Sequence, residues 1–273
     1  MILAYLGTPA MAVPPLEALV AAGHDVAMVV TRGDKRRGRG SDTSPSPVKS
    51  AALALGLPVS HEVDDVLGLG VELGVVVAFG QLVKPHVLAE VPMVNLHFSL
   101  LPRWRGAAPV ERALLAGDHE TGVCLMQLEE GLDTGPVYAR VPVPIDPRAT
   151  ADELRATLVA VGTDLLVEQL AHPLGMPRPQ VGEAIYARKI APSELRIDWS
   201  LPVAAVDRLV RLGGAWTTFR GMRVKVLAAE PDPTVVAPAP GLRLLRVQPE
   251  GKPPMPFADW ARGARPASDE RFE

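Results

Sequence analysis

Val71-Glu72-Leu73-Gly74-Val75-Val76-Val77-Ala78-Phe79 is the stretch that decides the fold. Rich in valine and nearly free of charge, it reads as a central strand of a parallel sheet, buried on both faces. A second apolar run follows at 93–98. Upstream, residues 2–6, 25–31 and 57–60 read as strands. The intervening segments 14–22 and 47–55 read as helices, each with proline in its first turn and glycine just past its end. Downstream come a helix over 107–116, strands over 122–128 and 137–145, and a long helix over 151–171 with Thr150 as its cap. Alternating strands and helices imply a doubly wound α/β domain with a mostly parallel sheet. A boundary falls near 187–197. Beyond it, a helix over 203–212 and strands over 219–226 and 242–247 suggest a small β-rich second domain. Residues 232–240 read as a loop, and 266–273 as a loose end.

The chain has 273 residues and a net charge of −3, so it is not a basic nucleic-acid binder throughout. Charge is uneven: residues 196–273 carry 12 Lys and Arg against 9 Asp and Glu, while residues 1–195 are acidic. A basic second part hints at a polyanionic partner. One cysteine, Cys124, excludes an intramolecular disulfide and a cysteine-rich metal site, and fits a reducing cytoplasm. No basic amino-terminal region precedes the apolar run over 12–30, which Glu17, His24 and Asp25 interrupt. Neither a signal peptide nor a membrane span is expected.

Within Asn95-Leu96-His97-Phe98-Ser99-Leu100-Leu101-Pro102, Asn95 and His97 stand two apart. On a strand they share a face, with Leu96 and Phe98 on the other. Ligands of doubly wound sheets bind beyond the carboxyl ends of the strands, where this pair lies. Gly131-Leu132-Asp133-Thr134-Gly135 can add a carboxylate from a tight loop. Asn, His and Asp suffice to stabilise an oxyanion and to move one proton. A lone strand histidine is usually structural; the asparagine at i−2 is what singles out His97. Cys124 reads as core, and Ser99 lacks an acyl-enzyme setting.

These motifs resemble the methionyl-tRNA formyltransferase family of formyl-folate enzymes. The resemblance rests on Gly7-Thr8-Pro9, Ser44-Pro45-Ser46-Pro47-Val48-Lys49, Val76-Val77-Ala78-Phe79-Gly80, the run from Asn95 to Pro109, Gly131 to Gly135, and Arg196-Ile197-Asp198-Trp199. It implies a Rossmann-like catalytic domain over 1–190 and a small, shortened OB-like β-barrel domain over 197–273 that binds tRNA. The implied reaction carries the formyl group of 10-formyltetrahydrofolate to the amino group of methionyl initiator tRNA. Asn95, His97 and Asp133 take the catalytic positions, and no metal is required. Ser99, Leu100, Leu101 and Pro102 match the folate-binding run. Phe79, Gly80, Gln81, Leu82 and Val83 match the stretch whose backbone cradles the pterin. Arg36, Arg37 and Arg39 fall in the family's basic loop, where Arg36 and Arg37 replace the usual Pro-Ala; with Lys189 they are the expected tRNA contacts. Arg220, Arg223, Lys225 and Arg243 are further candidates. A cytoplasmic monomer is expected.

The chain is shorter than the family pattern between Ser60 and Val71, from Pro85 to Met93, and between Glu230 and Gly241. An incomplete barrel puts RNA affinity at risk. Three other readings stay open: N-formylation of an amino-sugar nucleotide, hydrolysis of the formyl donor, and a weakly active tRNA- or folate-binding homologue.

Overall fold

The computed structural model describes residues 1–36 and 43–273. They form two compact units. The first comprises Met1–Pro109, Glu120–Pro144 and Arg155–Ala187; the second comprises Val110–His119, Ile145–Leu154 and Arg188–Glu273.

A seven-stranded sheet builds the first unit. Its order is Val137–Pro144, Glu120–Gln127, Met93–His97, Leu73–Val77, Ile2–Gly7, Asp25–Val30, Val59–Ser60. The five strands from Met93–His97 to Val59–Ser60 are parallel; Glu120–Gln127 runs antiparallel to Met93–His97 and forms a hairpin with Val137–Pro144. All five residues of Leu73–Val77 are buried, as its unbroken apolar run requires. Chain order reverses between Ile2–Gly7 and Leu73–Val77. That is the topological switch point where such sheets open a crevice.

The helices start where the sequence punctuates them. Ser46 caps Pro47–Ala54 by accepting the Lys49 N–H at 3.0 Å. The serine hydroxyl also meets the Thr31 hydroxyl at 2.7 Å, both being buried. Thr150 and Glu153 form a reciprocal capping box on Ala151–Leu170: the Glu153 N–H donates to the Thr150 hydroxyl at 3.2 Å, and the Thr150 N–H to the Glu153 carboxylate at 2.8 Å.

In the second unit, four antiparallel strands lie in the order Trp216–Phe219, Met222–Pro231, Leu242–Pro249, Met255–Pro256. The strand expected over 219–226 is instead two. Arg220 and Gly221 both adopt positive φ, 48° and 73°, and turn the chain between Phe219 and Met222 as a two-residue hairpin loop. Helices Val203–Leu212 and Phe257–Ala264 cover the sheet's apolar residues. The latter helix was not expected. Nor is the end of the chain loose. Phe272 is 5% exposed and packs on Trp199, Phe219 and Trp260, while Glu273 exchanges backbone hydrogen bonds with Thr218. Helix Pro109–Ala116 belongs to this unit from Val110 on: Arg112 pairs with Glu194 at 2.7 Å, and Arg208 donates to the Leu115 carbonyl at 3.0 Å.

Candidate active site

Strand Met93–His97 places Asn95 and His97 on one face, while Leu96 and Phe98 are buried on the other. Asn95 sits opposite Val76 and Met126, and His97 opposite Cys124. The chain leaves the sheet at His97 and folds back, so the Trp104 carbonyl accepts a hydrogen bond from His97 Nε2 at 2.9 Å. A carbonyl only accepts, so Nε2 carries a proton. His97 Nδ1 then faces Asp133 Oδ2 at 3.6 Å, beyond hydrogen-bonding reach. Asp133 Oδ2 accepts the Gly106 N–H at 2.7 Å, and Oδ1 lies 3.5 Å from Asn95 Nδ2. The His97 and Asp133 side chains are only 6% and 11% exposed, so charge on either is weakly screened by water.

The loop carrying Asp133 explains its glycines. A Cβ on Gly135 would overlap the Gln127 carbonyl oxygen, and one on Gly131 the Thr134 hydroxyl. Asp133 itself has φ 51°, a left-handed conformation. For a residue with a side chain this costs about 1–2 kcal/mol, so the surrounding bonds must hold it.

Phe79 to Val83 follow strand Leu73–Val77, at the switch point. Phe79 and Val83 are buried; Gly80, Gln81 and Leu82 are exposed, and their N–H groups donate to nothing among the described residues. The Phe79 carbonyl accepts from the Thr8 hydroxyl at 3.3 Å, and the Gly80 carbonyl from Arg32. The stretch is thus held through its carbonyls, while these three N–H groups have no hydrogen-bond partner among the described residues. Ser99 is fully buried and donates to the Arg103 carbonyl at 2.6 Å. Leu101 packs against Cys124, Met126 and Val137. Both side chains point inward, whereas Leu100 and Pro102 are partly exposed. Burial pushes the Cys124 thiol up, away from the reactive thiolate.

Of the basic candidates, Arg37 and Arg39 lie outside the described residues. The backbone of Arg36 pairs with Thr43. Lys189 is exposed in the second unit. There Arg220 pairs with Glu270 at 2.6 Å and Arg243 with Glu230; Arg223 lies 4.1 Å from the Trp216 ring. Sequence reasoning missed the Trp104 carbonyl and the Gly106 N–H. Backbone groups leave no side-chain signature, and only their nearness to the quoted motif pointed there.

The formyl transferase family model matches residues 1–170, and the model of the family's carboxyl-terminal domain matches residues 189–265. The methionyl-tRNA formyltransferase of Thermobifida fusca is 42% identical over 306 aligned positions, spanning 99% of this chain and 98% of that protein. The chain belongs to the methionyl-tRNA formyltransferase family. The alignment with that formyltransferase is longer than the 273 residues here, so this chain lacks segments its relative carries. Two solved formyltransferases share the fold. A methionyl-tRNA formyltransferase from Clostridium thermocellum aligns with TM-score 0.62 at 14% identity, over 91% of this chain and 97% of that one. An N-formyltransferase from Helicobacter canadensis, in complex with folinic acid and dTDP-3-aminofucose, aligns with TM-score 0.67 at 18% identity, over 87% and 90%.

A carboxamide donor, an imidazole with one free nitrogen and a carboxylate thus converge at the sheet's carboxyl edge in this formyltransferase. Among the described residues no group of three or more His, Cys, Asp or Glu is placed to hold a metal ion, and no helix is long and apolar enough to cross a membrane.

Proposed function

We propose that the chain transfers the formyl group of 10-formyltetrahydrofolate to the α-amino group of methionyl initiator tRNA. The observation that carries this reading is the convergence of Asn95, His97 and Asp133 at one strand end, in a chain that aligns over nearly its whole length with methionyl-tRNA formyltransferases. The folate is the donor substrate. The N–H groups of Gly80, Gln81 and Leu82, without partners among the described residues, suit the acceptor atoms of a pterin, and the backbone of Ser99 to Pro102 would complete its wall.

The amine nitrogen attacks the formyl carbon, a C–N bond forms, and negative charge develops on the formyl oxygen. Asn95 Nδ2 donates to that oxygen, and His97 Nδ1, once protonated, donates too. Asp133, fixed by the Gly106 N–H, stabilises the imidazolium and takes the proton that leaves the attacking nitrogen. The proton then passes to the departing folate nitrogen as its C–N bond breaks. Atoms and charge balance with no covalent enzyme intermediate.

The domain division follows the reading: catalysis over 1–190, tRNA contact over 197–273, with Arg36, Arg37, Arg39 and Lys189 gripping phosphates. Such an enzyme works in the cytoplasm, and the two-unit chain suits a monomer. The test is transfer from radiolabelled 10-formyltetrahydrofolate, with uncharged tRNA as control. Label on methionine is expected. Folate binding without label on methionine would transfer the reading to the amino-sugar acceptor.

A further inference from the structure

Residues 178–187, beyond helix Ala151–Leu170, run beside the loops that carry the candidate catalytic groups. At one end Arg178 and Val137 exchange both backbone hydrogen bonds at 2.8 Å. At the other, Tyr186–Ala187 pairs in parallel with Arg105–Gly106, and the Ala187 carbonyl accepts from Ala107 and Ala108 at 3.0 and 3.2 Å. Between these anchors stands Gln180. Its Nε2 donates to the Asp133 carbonyl and to the Gly135 carbonyl, both at 2.8 Å. Its Oε1 accepts from Arg105 Nη2 at 2.7 Å and Nε at 3.1 Å. A guanidinium only donates and a carbonyl only accepts, so the amide has one possible orientation. Both its hydrogens and both its lone pairs are engaged.

The consequence falls on Asp133, whose backbone is in the left-handed region. Such a conformation persists only where the surroundings impose it. Gly106 N–H holds the carboxylate, and Gln180 holds the main chain on either side of Thr134. Arg105 closes the arrangement: its guanidinium fixes Gln180, and the next residue supplies the N–H that fixes the carboxylate.

We propose that Gln180 is a positioning residue for Asp133, locking the 131–135 loop in the geometry that catalysis needs while touching neither substrate. The inference rests on the role given to Asp133 in formyl transfer. Gln180→Glu separates it from a plain structural tie: glutamate still accepts from Arg105 but has no N–H for the two carbonyls. Gln180→Ala removes both. Misplacing a catalytic group by about 1 Å can cost on the order of 10²-fold, so both variants should lose roughly 10-fold or more in kcat. KM for donor and for tRNA should stay within about threefold, because no substrate contact is lost. Amide hydrogen exchange at Gly106, whose N–H is held by the Asp133 carboxylate, should quicken in both variants, with the rest of the first unit unchanged; this readout needs no turnover.

Wild-type kcat in Gln180→Glu, or unaltered exchange at Gly106, would overturn the inference; so would faster exchange without loss of kcat. If Gln180→Ala fails to fold, Gln180→Glu decides by the same criteria. Wild-type protein that transfers no formyl group would instead refute the proposed function, and the exchange data would still decide whether Gln180 holds the loop.

Discussion

Asn95 has the simplest predicted phenotype. Its Nδ2 lies 3.5 Å from Asp133 Oδ1, a long contact that leaves the amide able to turn toward a developing oxyanion. Removal of one oxyanion donor typically costs about 10²–10³ in kcat. Asn95→Ala should show that loss in single-turnover formyl transfer, with folate binding kept. A variant within threefold of wild type would remove Asn95 from the mechanism. The side chains of this site were legible because strand periodicity puts residues 95 and 97 on one face and a glycine-flanked loop offers Asp133. The tautomer was not legible. It depends on the Trp104 carbonyl, brought to His97 Nε2 by a turn whose geometry no spacing in the sequence reveals. Gln180 was invisible for a related reason: it sits in a Pro-Arg-Pro-Gln run with no motif of its own, 47 residues from the loop it contacts.

Among the elements, the short helical turn Pro192–Leu195 makes the clearest pH prediction. Its Glu194 carboxylate accepts two bonds from Arg112 and one from the Ala191 N–H, and these hold its pKa at about 2, against an ordinary 4.5. A depressed carboxyl stabilises the fold fully above its unfolded value and loses that contribution as pH falls toward the folded one. Wild type should therefore outlast Glu194→Gln in urea at pH 7, with the two midpoints converging between pH 4.5 and about 2. A gap of equal size at pH 7 and pH 2.5 would show that the ion pair is irrelevant. The carboxyl-terminal segment makes the second prediction at this scale. Phe272 is buried among Trp199, Phe219 and Trp260, so Phe272→Ala should destabilise the protein by about 3–5 kcal/mol in urea unfolding followed by tryptophan fluorescence. A loss below about 1 kcal/mol would return the segment to the loose end expected from its polarity. Helix Phe257–Ala264 was legible in principle, since Phe257, Trp260, Ala261 and Ala264 keep the i, i+3, i+4, i+7 spacing and all four join the core. Surrounding prolines and glycines masked it. The long parallel strands were read correctly because burial on both faces demands an unbroken apolar run. Of the two-residue strands, Val59–Ser60 lies within the strand read over 57–60, whereas Arg105–Gly106, Tyr186–Ala187 and Met255–Pro256 were not read, because two residues carry no periodicity.

At the scale of the whole molecule, charge and chain length pull against each other. The chain is net −3, so its overall field repels a polyanion, yet residues 196–273 are basic. Several of these cations are paired with carboxylates of the same segment: Arg220 with Glu270, Arg243 with Glu230, and Arg211 with the buried Asp207. The second unit offers its remaining cations to phosphates, and each such contact releases counterions. Affinity for tRNA should then be salt-dependent, while the formyl donor, proposed to be held by backbone groups, should be much less sensitive to salt. Raising monovalent salt from about 50 to 200 mM should increase KM for methionyl-tRNA roughly 10-fold or more, leaving KM for the formyl donor within about twofold. Steady-state transfer assays with each substrate varied in turn decide it. If both constants rise together, salt is acting on the fold or the catalytic site; if neither moves, phosphate contacts do not carry the tRNA.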